Sequence, residues 1–68
     1  MILSHTFEKS TVLSSCSYDS DTQELTVTFT SGKSYIYKEV AINTYTDLIG
    51  AKSAGKYFAQ IKNSLVLK

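Results

Sequence analysis

Few residues of this 68-residue chain carry reactive groups. There is one cysteine, Cys16, and one histidine, His5. A nucleophilic cysteine needs a neighbouring base or a helix N-terminus to lower its pKa. Cys16 falls in a stretch of strand character and His5 is distant in the sequence, so the expectation is a small buried hydrophobe at 16. His5 reads as a surface or capping histidine. Two such side chains fall short of the three or four protein ligands that a zinc ion keeps. The acids Asp19 and Asp21 belong to the polar turn Asp19-Ser20-Asp21-Thr22, and Glu24 comes just after it. Solvated turn chemistry accounts for them, without the matched pair that acid–base catalysis needs. Ser53-Ala54-Gly55-Lys56 comes nearest to a phosphate cradle. A helix starting there would offer free backbone N–H groups, and Gly55 would admit a close ligand. Lys52 and Lys56 bracket that start and Lys62 lies further along. The spacing lacks the two glycines and the Gly-Lys-Ser/Thr ending of a P-loop. An N-cap at Ser53, with a small residue after it where two helices crowd, explains the same letters. The sequence thus predicts no enzyme and no cofactor. Its candidate binding residues, for nucleic acid or another anion, are Lys52, Ser53, Gly55, Lys56 and Lys62.

The elements that would position them come from periodicity. Leu25, Val27 and Phe29 alternate with Thr26, Thr28 and Thr30, and Tyr35 and Tyr37 resume the alternation after Ser31-Gly32-Lys33. A period of two assigns strands to Glu24–Thr30 and Ser34–Glu39. Ser10–Tyr18 supplies the strand before them. Leu13 and Cys16 break its alternation, and a bulge near Ser14–Ser15 would restore it. Tyr18, Leu25, Val27, Phe29, Tyr35 and Tyr37 then share one apolar face, with Thr26, Thr28, Thr30, Ile36 and Lys38 on the other. Ile42, Tyr45, Leu48 and Ile49 have helical spacing, with Gly50 as C-cap. Ser53 starts a second helix, Ala54–Asn63, with Tyr57, Phe58 and Ile61 inward. Leu3, His5 and Phe7 permit a short strand in residues 1–9, and Leu65-Val66-Leu67 a short last strand or a packed tail. The expected fold is α+β: a three-stranded antiparallel meander, then two helices on one face. Residues 1–9 are an N-terminal segment and 10–68 a single domain. Its core should hold Leu25, Val27, Phe29, Tyr37, Leu48, Phe58 and Ile61.

A chain this short buries only about 60% of its unfolded surface, so its core is marginal. A lone cysteine gives no internal disulfide, and oligomerisation remains as a stabiliser. The free thiol suits a reducing compartment. No stretch approaches the roughly 20 apolar residues of a membrane span. Met1–Phe7 lacks the charged start and apolar run of a signal peptide. A cytoplasmic protein with no membrane partner is expected. The net charge of +1 is unevenly spread. Residues 1–50 hold three lysines against six acids, a balance of −3, whereas 51–68 hold Lys52, Lys56, Lys62 and Lys68 with no acid, a balance of +4. Such a tail marks either an anionic partner or a solvated helix face. The absence of arginine removes the residue best suited to forked contacts with phosphate and guanine.

Tyr18-Asp19, Thr22, Leu25-x-Val27-x-Phe29, Ser31-Gly32, Tyr35-x-Tyr37 and Val40 occur in an order that continues with Tyr45, Leu48, Ser53-x-Gly55-x-Tyr57-Phe58 and Ile61. This set resembles the KTSC domain, a short module named for the C-terminal region of some lysyl-tRNA synthetases. The resemblance spans roughly residues 10–62. The chain departs from the family where Ala41 replaces a frequent proline after valine, where Ala59 replaces a frequent asparagine, and where a C-terminal aromatic residue is missing. The resemblance implies a small bacterial or phage protein associated with RNA or with a larger protein, and it implies no chemistry.

Two functions are expected on these grounds. The first is a non-catalytic binding or accessory module acting on a larger protein or ribonucleoprotein, with a phage or mobile-element protein that modulates a host machine as one instance. The alternative is direct binding of RNA, tRNA or single-stranded nucleic acid through the basic second helix, with Lys33 as a lesser contact and Tyr57 as the candidate for base stacking.

Overall fold

Alternating apolar and hydroxyl residues build the sheet. The computed structural model describes Met1–Lys68. Its strands are β1 (Ile2–Thr6), β2 (Leu13–Asp19), β3 (Glu24–Phe29), β4 (Ser34–Lys38) and β5 (Val66–Leu67). They form one antiparallel sheet in sequence order. Two helices, α1 (Ile42–Gly50) and α2 (Ala54–Ile61), come after β4, and a 3₁₀ turn over Lys62–Ser64 leads to β5. The α+β class and the meander with two helices stand as expected. The meander gains a strand at each end: the optional last strand forms as β5, and the three-stranded count is corrected by the addition of β1. The short alternation around Leu3 and His5 is weak by itself, and becomes a strand because β2 offers it a full set of pairing partners, from Ile2 opposite Asp19 to Thr6 opposite Ser15. Residues 1–9 therefore contribute an edge strand to the same sheet, and Leu3 and Phe7 pack on the core.

The register fixes the two faces. Leu3, Tyr18, Leu25 and Tyr37 make one row, and His5, Cys16, Val27 and Tyr35 the next. Both rows face the helices. The alternate rows, Ser4-Ser17-Thr26-Ile36 and Thr6-Ser15-Thr28-Ser34, lie on the opposite face. That face is left open and hydroxylated, as one-sided antiparallel sheets commonly are. The pairing slips between Leu13 and Ser15. This is the expected bulge, and it lets both Leu13 and Cys16 face inward. Strand β2 starts later than residue 10, because the Ser10 hydroxyl accepts from the N–H groups of Val12 (3.2 Å) and Leu13 (3.0 Å) and holds a turn there.

The core consists of Leu13, Cys16, Tyr18, Leu25, Val27, Tyr37, Val40, Tyr45, Leu48, Ala54 and Phe58. Phe29 and Ile61, expected inside, are only half-buried, and Ile42 is exposed. The helices are too short to cover the whole inner face. Phe58 reaches Tyr37 and Phe29 edge-on, each at 5.7 Å between ring centres, and beyond Phe29 nothing covers Tyr35, which is 40% exposed. Gly50 is the last residue of α1 rather than its cap. The cap is Ala51, in extended conformation, whose N–H points to the Leu48 carbonyl. Helix α2 is shorter than expected, giving way to the 3₁₀ turn at Lys62.

Candidate binding surface

The start of α2 is built as a cap. Ser53 is extended, with φ −130° and ψ 99°, and its side-chain oxygen accepts from the Lys56 N–H at 3.4 Å. Gly55 is small for a packing reason. A Cβ there would lie 3.1 Å from Cβ of Val12 and 3.3 Å from one of its methyls. The crowding expected at this position is therefore against the strand-leading residue Val12 and not against α1. Lys52, Lys56 and Lys62 are exposed. None is in an ion pair, the two ion pairs of the molecule being Met1 with Asp21 and Lys68 with Glu24.

The five sequence candidates do not converge. Lys52 lines a shallow groove of about 470 Å³ between the β1–β2 connection and the α1–α2 junction, together with His5, Glu8 and Ile49. Gly55 and Lys62 line a separate cleft of about 240 Å³ on the other side of α2. Lys56 lines neither.

The cleft is the more distinctive of the two. Phe29 and Phe58 are its floor and Val12 and Tyr35 its flanks, and Gly55 and Ala59 of α2 close it with Lys62, the C-cap of that helix. The rings meet edge to face: Phe29 lies 5.7 Å from Tyr35 at 75° and 5.7 Å from Phe58 at 67°. Tyr37 also lines the cleft. Burial raises the pKa of its hydroxyl. That hydroxyl makes no hydrogen bond within the chain, unlike that of Tyr18. No fully enclosed side-chain oxygen or nitrogen lacks a partner, so the Tyr37 hydroxyl reaches solvent. Sequence reasoning assigned Phe29 to the core and Val12 to a strand and missed the cleft. The usable signal was an excess of aromatic residues at one end of the sheet over what eight residues of helix α2 can cover.

His5 and Cys16, distant in sequence, are direct cross-strand partners. They make no reactive pair at neutral pH. Cys16 is 3% exposed, and burial pushes its thiol up to about 11. The thiolate is the nucleophilic form, and this thiol keeps its proton. The His5 ring instead meets Phe7 at 4.9 Å and 68°. Tyr57, the stacking candidate, is half-buried against the core, and burial raises its hydroxyl pKa. No three His, Cys, Asp or Glu side chains gather as a metal site would require. No helix is long and apolar enough to cross a membrane.

Fold and surface together define a small antiparallel α+β domain, helix-covered on one face and carrying an aromatic cleft at one corner. The family model for the KTSC domain matches residues 9–64, and the chain belongs to that family. The crystal structure of a KTSC domain protein from Yersinia pestis is similar over 100% of this chain and 96% of that one, with a TM-score of 0.89 and 23% sequence identity. That likeness shows the fold. No curated protein matches the sequence.

Proposed function

We propose that this chain is a small non-catalytic module that binds a larger protein, free or within a ribonucleoprotein, through the cleft beside α2. One observation carries the reading: Tyr35, on the helix-facing side of the sheet, is 40% exposed beside the half-buried Phe29. Tyrosine and phenylalanine are enriched in protein contact surfaces, where they bring large area, with a polar tip in tyrosine. A protonated, enclosed Cys16 supports a role without catalysis. A buried free thiol suits the reducing cytoplasm. A phage or mobile-element protein acting on a host machine is one form of this function.

Capture from a bacterial lysate, with and without nuclease, tests the reading. A captured protein that survives nuclease is expected. Recovery of nucleic acid alone contradicts it.

The second reading is binding of RNA, tRNA or a single strand through Lys52, Lys56 and Lys62. The absence of an ion-pair partner for all three favours it. Their dispersal around α2 and the lack of arginine weigh against it.

A further inference from the structure

We infer that the cleft beside α2 binds the C-terminal residue of a partner polypeptide, its apolar side chain on the aromatic floor and its α-carboxylate on Lys62. The inference rests on the protein-binding reading above and names what the cleft takes.

Size and lining select one apolar side chain. A space of about 240 Å³ over Phe29, Phe58 and Val12 suits one large side chain and little more. The charge selects an anion. Lys62 is exposed at the cleft, outside both ion pairs, in a segment of the chain that contains no acid. Tyr37, 9% exposed, contributes further aromatic lining beside Phe58. A carboxylate next to the Lys62 ammonium makes the stronger, charge-assisted kind of hydrogen bond.

The proximity of floor and cation selects a chain end over an internal acid. Successive side chains of an extended peptide point to opposite sides. An aspartate beside an apolar anchor would therefore face away from the cleft that takes the anchor. The α-carboxylate of a last residue is attached to the same Cα as its side chain and enters with it. Capture of a terminal carboxylate is an established mode of peptide recognition. A nucleobase fits less well. The rings pack edge to face on one another and present no flat platform, and a single cation at the cleft matches one carboxylate better than a run of phosphates.

The test is an NMR titration of the isotope-labelled 68-residue chain. The probes are Gly-Ser-Gly-Ser-Gly-Phe as free acid, the same peptide as C-terminal amide, a free acid ending in serine, and a short oligothymidylate. Peptide is raised to about 5 mM, enough to populate a millimolar site. The phenylalanine acid should shift the signals of Tyr35, Phe58, Ala59 and Lys62. Binding should weaken about tenfold with the amide and with Lys62→Gln, whose exposed position leaves the spectrum of the fold unchanged. The serine peptide should give no shifts. Equal binding of acid and amide, shifts centred on Lys52–Lys56, shifts from the oligonucleotide alone, or no shifts at all would each overturn the inference. Nuclease-resistant capture of a protein by the parent chain, lost on Tyr35→Ser, would in those cases leave the protein-binding reading standing.

Discussion

The Tyr18 hydroxyl donates to the Val40 carbonyl at 2.5 Å, tying strand β2 to the chain where it turns from β4 into α1. Both residues are almost fully enclosed. The Val40 N–H donates in turn to the Gln23 carbonyl at 2.9 Å, so both backbone groups of Val40 are held. The Tyr18 ring stacks on Tyr45 of α1, 5.6 Å between centres and 21° between planes. One side chain thus seats the first helix on the sheet. Tyr18→Phe keeps the ring but orphans a buried carbonyl, a loss of about 1–3 kcal/mol. Urea unfolding should show a lower midpoint with an unchanged slope. A midpoint equal to the parent's would show that this bond adds nothing to stability.

The residues flanking that junction adopt a conformation that suits glycine. Gln23 and Glu39 have φ of 59° and 57°. The left-handed region costs a side chain roughly 1–2 kcal/mol, and glycine gives back about 0.5–1 kcal/mol in unfolded-state freedom. Glu39→Gly should therefore stabilise by about 0.5–1 kcal/mol, read as a higher melting temperature. A lower one would mean that the Glu39 side chain contributes something its exposed position does not suggest.

Crowding at Gly55 reverses the usual effect of alanine in a helix. An alanine there normally gains about 1 kcal/mol over glycine. Here its Cβ would press on Val12. Val12 is held from behind, its carbonyl accepting from the Thr30 N–H at 2.9 Å and its own N–H donating to Ser10. Overpacking of about 1–3 kcal/mol then exceeds the helix gain. Gly55→Ala should melt below the parent; a gain in stability would show that Val12 withdraws freely.

Alkaline stability depends on the buried thiol. Burial moves Cys16 from 9.0 up to about 11. Between those values the unfolded chain loses the proton and the folded chain keeps it, so stability falls as pH rises. The contribution is intact below pH 9 and is lost towards pH 11, by roughly 2–3 kcal/mol at most. Tyr37 and Tyr45, raised by burial, act in the same direction at higher pH. Cys16→Ala should flatten the fall between about pH 9 and 10. Thiol reagents at about pH 8 should label the parent only as it unfolds, and immediate labelling would contradict the enclosed thiol.

Much of the fold was legible because β3, β4 and the helices carry their periods locally. Leu25, Val27 and Tyr37 are where alternation puts them, and even the bulge between Leu13 and Ser15 shows as a local break in pattern. Strand β1 was visible only as a weak alternation, since its stability comes from pairing with β2. The cleft was hidden for a different reason. Periodicity assigns Phe29 and Tyr35 to the inner face, correctly, but gives no information on how far a helix extends over that face. The basic residues were visible as a group, yet which of them share a surface depends on the packing of α2 over Val12.

The measurement that bears most directly on the proposed function is quantitative capture from nuclease-treated bacterial lysate by four forms of the chain: the parent, Tyr35→Ser, Lys62→Glu, and the double variant Lys52→Glu/Lys56→Glu. All four changes are at exposed side chains. Binding through the cleft predicts that a captured protein is lost with Tyr35→Ser and Lys62→Glu and retained with the double variant. Capture unaffected by the two cleft variants and abolished by the double variant would contradict it.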